Sequence, residues 1–165
     1  MTERAASVRN HARLADISLE GESLTRLSPV LEADRAQAVA DLQAENTFAP
    51  LAVREAGPYA LRLSIVEGRL VFDIRRLDDT PLTAIALALG PFRRLIKDYQ
   101  MLVDSHILAV QEGRESRIQA IDMGRRGLHN EGAELMMERL GGKVAIDFET
   151  ARRLFTLVCV LHQRI

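Results

Sequence analysis

Two runs of alternating apolar and polar residues, separated by Glu67-Gly68, constrain the fold of this chain more than any other feature. Residues 59–65 place Tyr, Leu, Leu and Ile on one side, and residues 70–74 place Leu, Phe and Ile on one side. Such alternation is typical of strands with one buried face, and a short Glu-Gly connection between them is typical of a tight turn. The sequence therefore predicts a β-hairpin with one buried face.

A third alternating run, residues 82–89, places Ile and Leu on one side and only alanine on the other. Because alanine side chains let another element approach closely, we expect this strand to be covered on both faces.

Helical patterns lie on both sides of these strands. Ser28-Pro29 predicts a helix start, and the helix extends to about Glu45. Gly90-Pro91 opens the longest helix, with Gly113 as its stop, and Asp147 caps a final apolar helix. Short strands are predicted at residues 14–19 and 143–146, and residues 46–58 are interpreted as a loop.

The predicted order of elements is β-α-β-β-β-α-α-α-β-α, with the strands largely consecutive. This order indicates an α+β fold, in which a small, mainly antiparallel sheet packs against several helices. We expect a loose N-terminal arm at residues 1–13 and a single domain at residues 14–165, because 165 residues suit one hydrophobic core.

Composition narrows the classes of protein. No apolar run approaches the roughly 18 to 20 residues of a membrane-spanning helix, and the first residues lack the apolar stretch of a signal peptide, so we expect a soluble cytoplasmic protein. A net charge of −1 argues against strong sequence-independent binding to nucleic acid. The single cysteine, Cys159, lies in an apolar helical pattern and is expected to belong to the core.

The most unusual stretch is residues 120–140, AIDMGRRGLHNEGAELMMERL. Ser116 and Gln119 have the spacing of a capping box, which predicts a short helix to about Met123. Glycines at positions 124 and 127 are then interpreted as a helix stop and a second turn, and Asn130 as the N-cap of the next helix. The sequence thus predicts a loop from Asp122 to Glu131.

An anion-binding site is the first functional hypothesis for this loop. Arginine side chains bind phosphate or carboxylate oxygens in pairs, and backbone amides at a helix start favour negative charge. The predicted ligand-binding residues are Arg125, Arg126, Gly127, His129 and Asn130. The structural alternative is that an arginine pairs with Asp122 or another carboxylate, and that the glycines serve only the backbone.

The same stretch also has a catalytic interpretation, which leaves open whether the protein is an enzyme. His129 would act as acid or base, Asp122 or Glu131 would orient it, and Asn130 would stabilise developing charge on a phosphate-containing substrate. The spacing matches no hydrolase motif, and the chain has no P-loop lysine and no nucleophile elbow.

Histidines and arginine pairs suggest two further kinds of site. His106 and His162 fall within apolar helical faces, and without close ligand spacing we expect core histidines rather than a metal site, and no cofactor. The pairs 93–94, 125–126 and 152–153 would form a basic patch for RNA or a nucleotide if they converge, but few aromatic residues are present for base stacking. The alternative is that these arginines pair with neighbouring Asp and Glu.

Several runs resemble those of a known group of bacterial proteins: GPYALRLSI, RLVFDIR, GPFRRLIKDYQM, AIDMGRRGLHNEGAELMMERL and TARRLFTLVCVLHQR. They are similar to uncharacterised protein family 0262, which is known mainly from alphaproteobacteria, and the resemblance covers nearly the whole chain from about Leu14. It implies a bacterial cytoplasmic protein. It brings no established activity, cofactor or catalytic residue, so no functional residue is carried over.

We therefore expect a small non-enzymatic module that binds an anionic ligand or a protein partner through the Asp122–Glu131 loop. One alternative is an enzyme acting on a phosphate-containing substrate at the same loop. The other is an interaction protein in which the loop is structural and the functional surface lies elsewhere, for instance on the polar stripe from Arg93 to Asp104 of the longest helix. The sequence does not determine the ligand or the oligomeric state.

Overall fold

The computed structural model describes residues 11–21 and 27–162 and confirms the α+β class. Its strands are β1 Leu14–Glu20, β2 Phe48–Pro50, β3 Tyr59–Val66, β4 Arg69–Arg75, β5 Pro81–Ala88 and β6 Val144–Ile146. Its helices are α1 Pro29–Ala44, α2 Arg93–Glu112, α3 Glu115–Leu140 and α4 Phe148–Leu161, with a 3-10 turn at Gly90–Phe92 before α2. Residues 1–10 of the expected N-terminal arm lie outside the described residues.

Within the described residues, four strands form one sheet in the order β1-β3-β4-β5. The β1–β3 pair is parallel, and the other two pairs are antiparallel. The predicted hairpin is β3–β4, and its turn residues Glu67 and Gly68 both have positive φ angles, of 50° and 74°. Positive φ at both turn positions matches the right-handed twist of the two strands. The inner face carries the largest apolar residues of the hairpin, which are fully buried: Leu61, Leu63, Leu70, Phe72 and Ile74.

The expectation for β5 was wrong on one face. Leu87 is buried on the inner face, whereas Ala84, Ala86 and Ala88 are exposed. The helices cover only one side of the sheet, so the alanine side faces solvent. Small residues here leave the outer surface of β5 flat.

The loop predicted at residues 46–58 contains a short strand that was missed. Strand β2 pairs antiparallel with β6 in a separate two-stranded sheet. Asn46 precedes β2, and its side chain accepts a hydrogen bond from Leu14 N at 2.7 Å and donates to the carbonyl oxygens of Leu14 at 2.8 Å and Leu42 at 2.6 Å. One amide side chain thus joins the end of α1 to the start of β1.

The predicted break at residues 124–130 was wrong, because α3 is a single helix of 26 residues. Gly124 and Gly127 lie inside it, and Asn130 is not a helix cap. The predicted capping box at Ser116 is also wrong, because the residue before the helix is Arg114 and no side chain caps it. An internal glycine costs a helix about 1 kcal/mol, and packing of α3 against α2 and α4 offsets that cost.

The other helix ends follow the predictions, but α2, which was predicted to be the longest helix, has 20 residues against 26 in α3. The hydroxyl of Ser28 accepts from Leu31 N at 3.3 Å, and the Asp147 carboxylate accepts from Thr150 N at 2.7 Å. Gly113 ends α2 in the left-handed conformation, with φ 68°. Ten of the fourteen residues of α4 are buried, which makes this helix the centre of the helical layer. None of the helices in the described ranges is both long and apolar enough to cross a membrane.

Candidate functional site

The continuous helix divides the predicted site residues between two faces of α3. Asp122, Arg125 and His129 are three and four residues apart, so their side chains share the face directed at the helical layer. Arg126, Gly127 and Asn130 are exposed to solvent. The stretch interpreted as one loop site is therefore two separate surfaces, and the inward one contains a buried polar cluster.

Arg125 makes the central contacts of this cluster. Its guanidinium forms an ion pair with Asp34 of α1, and the same carboxylate oxygen accepts a hydrogen bond from the Tyr99 hydroxyl of α2. A weaker contact of 3.5 Å joins Arg125 to Asp122. The guanidinium carbon also lies 5.9 Å from the centre of the Tyr99 ring, within range of a cation–π interaction. Three helices are thereby joined through one arginine whose side chain is only 13% exposed.

The ionisation of this group follows from its surroundings. Burial and the negative charge of Asp34 raise the pKa of the Tyr99 hydroxyl well above its ordinary value, so this phenol stays protonated. Burial by itself lowers the pKa of Arg125, but the hydrogen bond and charge of Asp34 outweigh it and raise the pKa overall. Arg125 is therefore a permanent cation whose charge Asp34 balances inside the protein.

His129 lies beside Tyr99, with ring centres 5.5 Å apart and an angle of 34° between the planes. Burial lowers its pKa to about 4, assisted by the positive charges of Arg152 and Arg125. His129 is consequently neutral at neutral pH, with one protonated ring nitrogen.

Three buried side-chain nitrogen atoms on the packed helices α3 and α4 have no hydrogen-bond partner within the described part of the chain. They are Arg125 Nε, His129 Nε2 and Arg152 Nε, which we call the nitrogen cluster. The two arginine Nε atoms are donors, and His129 Nε2 is a donor in one of its two neutral tautomers. A buried donor without a partner costs about 1 to 3 kcal/mol, so such atoms are rare in proteins. The nitrogen cluster is therefore the feature of this region most directly suited to an acceptor group from outside the protein.

The structure does not bring the proposed orienting residues to His129. Asp122 is half exposed, and its Oδ1 lies 3.6 Å from His106 Nε2. Glu131 pairs with Arg94 at 3.4 Å on the outer surface. Within the described ranges no hydrogen bond or ion pair joins His129 to Asp122, Glu131 or Asn130. Asp122, Glu131 and Asn130 therefore do not orient His129.

The histidines and Cys159 do not assemble a metal site. No group of three or more His, Cys, Asp or Glu in residues 11–21 and 27–162 is arranged to hold a metal ion. His106 Nε2 lies 3.6 Å from Asp122 Oδ1, and its buried Nδ1 has no hydrogen-bond partner among the described residues. His162 follows the last turn of α4. Burial, reinforced by Asp34, raises the pKa of Cys159 well above its ordinary value. This thiol is thus not a reactive thiolate at neutral pH.

Four of the six arginines in the three sequence pairs form ion pairs with carboxylates. Besides Arg125, Arg94 contacts Asp98 and Glu131, Arg152 contacts Glu149, and Arg153 contacts Asp41 and Glu149. Arg93 and Arg126 are exposed. Most of these arginines therefore pair with carboxylates, which is the alternative interpretation of the three sequence pairs.

Sequence reasoning did not identify Asp34 and Tyr99 as members of the cluster. Helical periodicity places Asp34 on the polar face of α1 and Tyr99 on the apolar face of α2. Asp34 lies 91 residues from Arg125 in sequence and Tyr99 lies 65 residues from Asp34, so local spacing carries no sign of these contacts. Arg152 was identified only as one of a pair.

The chain matches the family described as "Uncharacterised protein family (UPF0262)" over residues 11–164. A UPF0262 protein of Granulibacter bethesdensis is 74% identical over 160 residues, covering 93% of this chain and 91% of that protein. A second, from Acidiphilium cryptum, is 58% identical over 164 residues, 99% of each chain. A third, from Mesorhizobium japonicum, is 52% identical over 158 residues, 96% of this chain and 98% of that protein. No solved structure matches the chain. The chain therefore belongs to this family, as the resemblance of its sequence runs implies.

Proposed function

We propose that this family member is a non-catalytic module that binds a small oxyanion, of which inorganic phosphate is the simplest example, at the nitrogen cluster. The observation that carries the proposal is that Arg125 Nε, His129 Nε2 and Arg152 Nε are all buried and unpartnered among the described residues. A tetrahedral oxyanion presents several acceptor oxygens and can accept from more than one of these nitrogens.

The charge balance favours an anion over a water molecule. Asp34 already balances Arg125, but Arg152 has only a contact of 4.0 Å with the half-exposed Glu149. One positive charge therefore remains poorly compensated beside a neutral imidazole. Water satisfies the donors of such a site without balancing that charge, whereas phosphate does both.

The proposal retains Arg125 and His129 of the sequence hypothesis and adds Arg152. It does not require Arg126, Gly127 or Asn130, whose positions face solvent. An enzyme at the same place is less well supported, because the carboxylates expected to orient His129 contact other residues. The ligand is accordingly bound and released unchanged.

Thermal unfolding with added phosphate tests this function. Phosphate at 100 times its dissociation constant is expected to add about 2.7 kcal/mol to the free energy of unfolding. Chloride at equal ionic strength serves as the salt control. Arg152→Gln should abolish the phosphate-dependent increase, because it removes the charge that Asp34 does not balance.

Arg126→Gln is the matched control, since Arg126 is the residue after Arg125 in α3 but is exposed to solvent. This variant should keep the full phosphate response. Equal stabilisation of wild type and Arg152→Gln, or no response of wild type beyond that to chloride, contradicts the proposal. Circular dichroism of both variants verifies that they are folded before the comparison.

A further inference from the structure

Strand β5 forms an edge of the four-stranded sheet, and its sequence PLTAIALA contains no charged residue. Within the described residues it pairs with β4 and with no other strand. Proteins usually protect such edges with lysines, central prolines or bulges. Here Pro81 stands at the first position, and the register shift lies at Ile74/Arg75 near the same end. The remaining length of β5 therefore contains no lysine, no proline and no bulge.

A groove runs beside this unprotected edge. It encloses a cavity of about 350 Å³, and four consecutive β5 residues, 83–86, form one wall. Consecutive residues point to alternate faces of a sheet, so a wall made of all four follows the edge of the strand itself. At about 3.3 Å per residue the wall is roughly 13 Å long. Such a wall presents backbone groups as well as side chains.

The opposite wall comes from the ends of the two-stranded sheet. It consists of Pro50, Ala52, Gly142 and Lys143, and the hydrogen bond of 2.9 Å from Leu51 N to Lys143 O joins its two segments. Lys143 is the one charged residue in the lining of this cavity. The groove is therefore largely apolar and positive at one point.

We propose that this groove binds an extended peptide segment of a partner protein, which adds to the sheet as a strand beside β5 and places a carboxylate at Lys143. Backbone hydrogen bonds along an edge strand supply affinity in this mode of recognition, and side-chain positions supply specificity. The small side chains at positions 84 and 86 allow the peptide backbone to approach. A single lysine in otherwise uncharged walls selects an acidic over a basic segment.

This inference is independent of the nitrogen cluster, which lies among the helices. It concerns the free edge of β5 and the groove beside it.

Selection from a displayed library of random 12-residue peptides tests the inference. Enriched peptides are expected to have a β-branched residue at every second position and to contain Asp or Glu. Synthetic copies should slow hydrogen exchange of backbone amides in β5. Lys143→Glu should weaken their binding on the order of tenfold or more, because it sets like charges against each other.

Lys97→Glu is the charge-matched control, because Lys97 is an exposed lysine on α2, and it should leave affinity unchanged. Peptides that bind equally well to both variants, or that protect amides outside β5, contradict the inference. Sedimentation of the protein alone provides the second criterion. Concentration-dependent self-association that protects the same amides identifies a second copy as the occupant and overturns the peptide assignment.

Discussion

Two glycines of α3 allow a paired test of how this helix is packed. An ideal Cβ placed on Gly132 overlaps three carbon atoms of the buried Phe155 ring in α4, whereas one placed on Gly127 meets no atom within 4 Å. Both positions are helical, so alanine has the same backbone advantage at each. We expect Gly132→Ala to destabilise the protein and Gly127→Ala to stabilise it.

The magnitudes follow from two opposing effects. Alanine stabilises a helix interior by about 1 kcal/mol relative to glycine. Overpacking of a dense core costs about 1 to 3 kcal/mol, and the overlap with a fully buried ring places Gly132→Ala at the upper end of that range. Its net loss is then about 2 kcal/mol, a fall of roughly 4 to 8 °C in Tm for a protein of this size. Gly127→Ala should raise Tm by about 2 to 4 °C.

Urea denaturation followed by circular dichroism measures both changes. Phe155→Leu supplies the coupling test, because a smaller side chain opposite residue 132 leaves room for the added methyl group. In that background the cost of Gly132→Ala should fall by about 0.5 to 3 kcal/mol. A Gly132→Ala protein as stable as wild type, or a cost unchanged by Phe155→Leu, refutes the assignment of Gly132 to close helix packing.

Two predictions concern the buried polar cluster. Folding lowers the pKa of His129 from 6.5 to about 4, so as pH falls the imidazole is protonated in the unfolded chain before it is protonated in the folded one. The free energy of unfolding that depends on the neutral imidazole is complete above pH 6.5, and about 3 kcal/mol of it is lost as pH falls to 4. Urea titrations across this window should show a shallower loss for His129→Gln, and parallel wild-type and variant profiles contradict the assignment. Asp34→Asn should cost about 3 to 5 kcal/mol in the same assay, because it leaves the charge of Arg125 poorly compensated inside the protein. Asp98→Asn, which breaks an exposed pair with Arg94, should cost under about 1 kcal/mol, and equal losses for the two substitutions argue against the importance of burial.

Elements whose signals are local could be predicted from the sequence. The β3–β4 hairpin follows from alternation around a turn whose residues have positive φ, and the caps at Ser28 and Asp147 follow from side chains that reach amides three residues away. In each case the deciding interactions lie within a few residues.

The course of α3 could not be predicted in this way. Gly124 and Gly127 are weak helix formers, and local rules favour a stop and a turn there. What decides the outcome is packing against α2 and α4, including the close approach of Gly132 to Phe155. The sequence of the stretch itself gives no indication of the contact between Gly132 and Phe155.

The site was predicted only in part for the same reason. Helical spacing is enough to place Asp122, Arg125 and His129 on one face, once the stretch is known to be a helix. That Arg125 pairs with Asp34, and that Arg152 approaches His129, depends on how four helices pack. The ligand proposed for the nitrogen cluster remains a prediction until phosphate binding is measured.

The position of α4 in the chain affects how the protein is made. Residues 148–161 provide the buried surface against which α1 and α3 pack, and they contact strands β1 and β3. A ribosome delivers them after every strand of the four-stranded sheet, so the nascent chain carries uncovered apolar surface until α4 emerges. Such surface is what chaperones bind and what leads to aggregation. Stalled or prematurely terminated synthesis should therefore yield chains that cannot complete their core and are degraded.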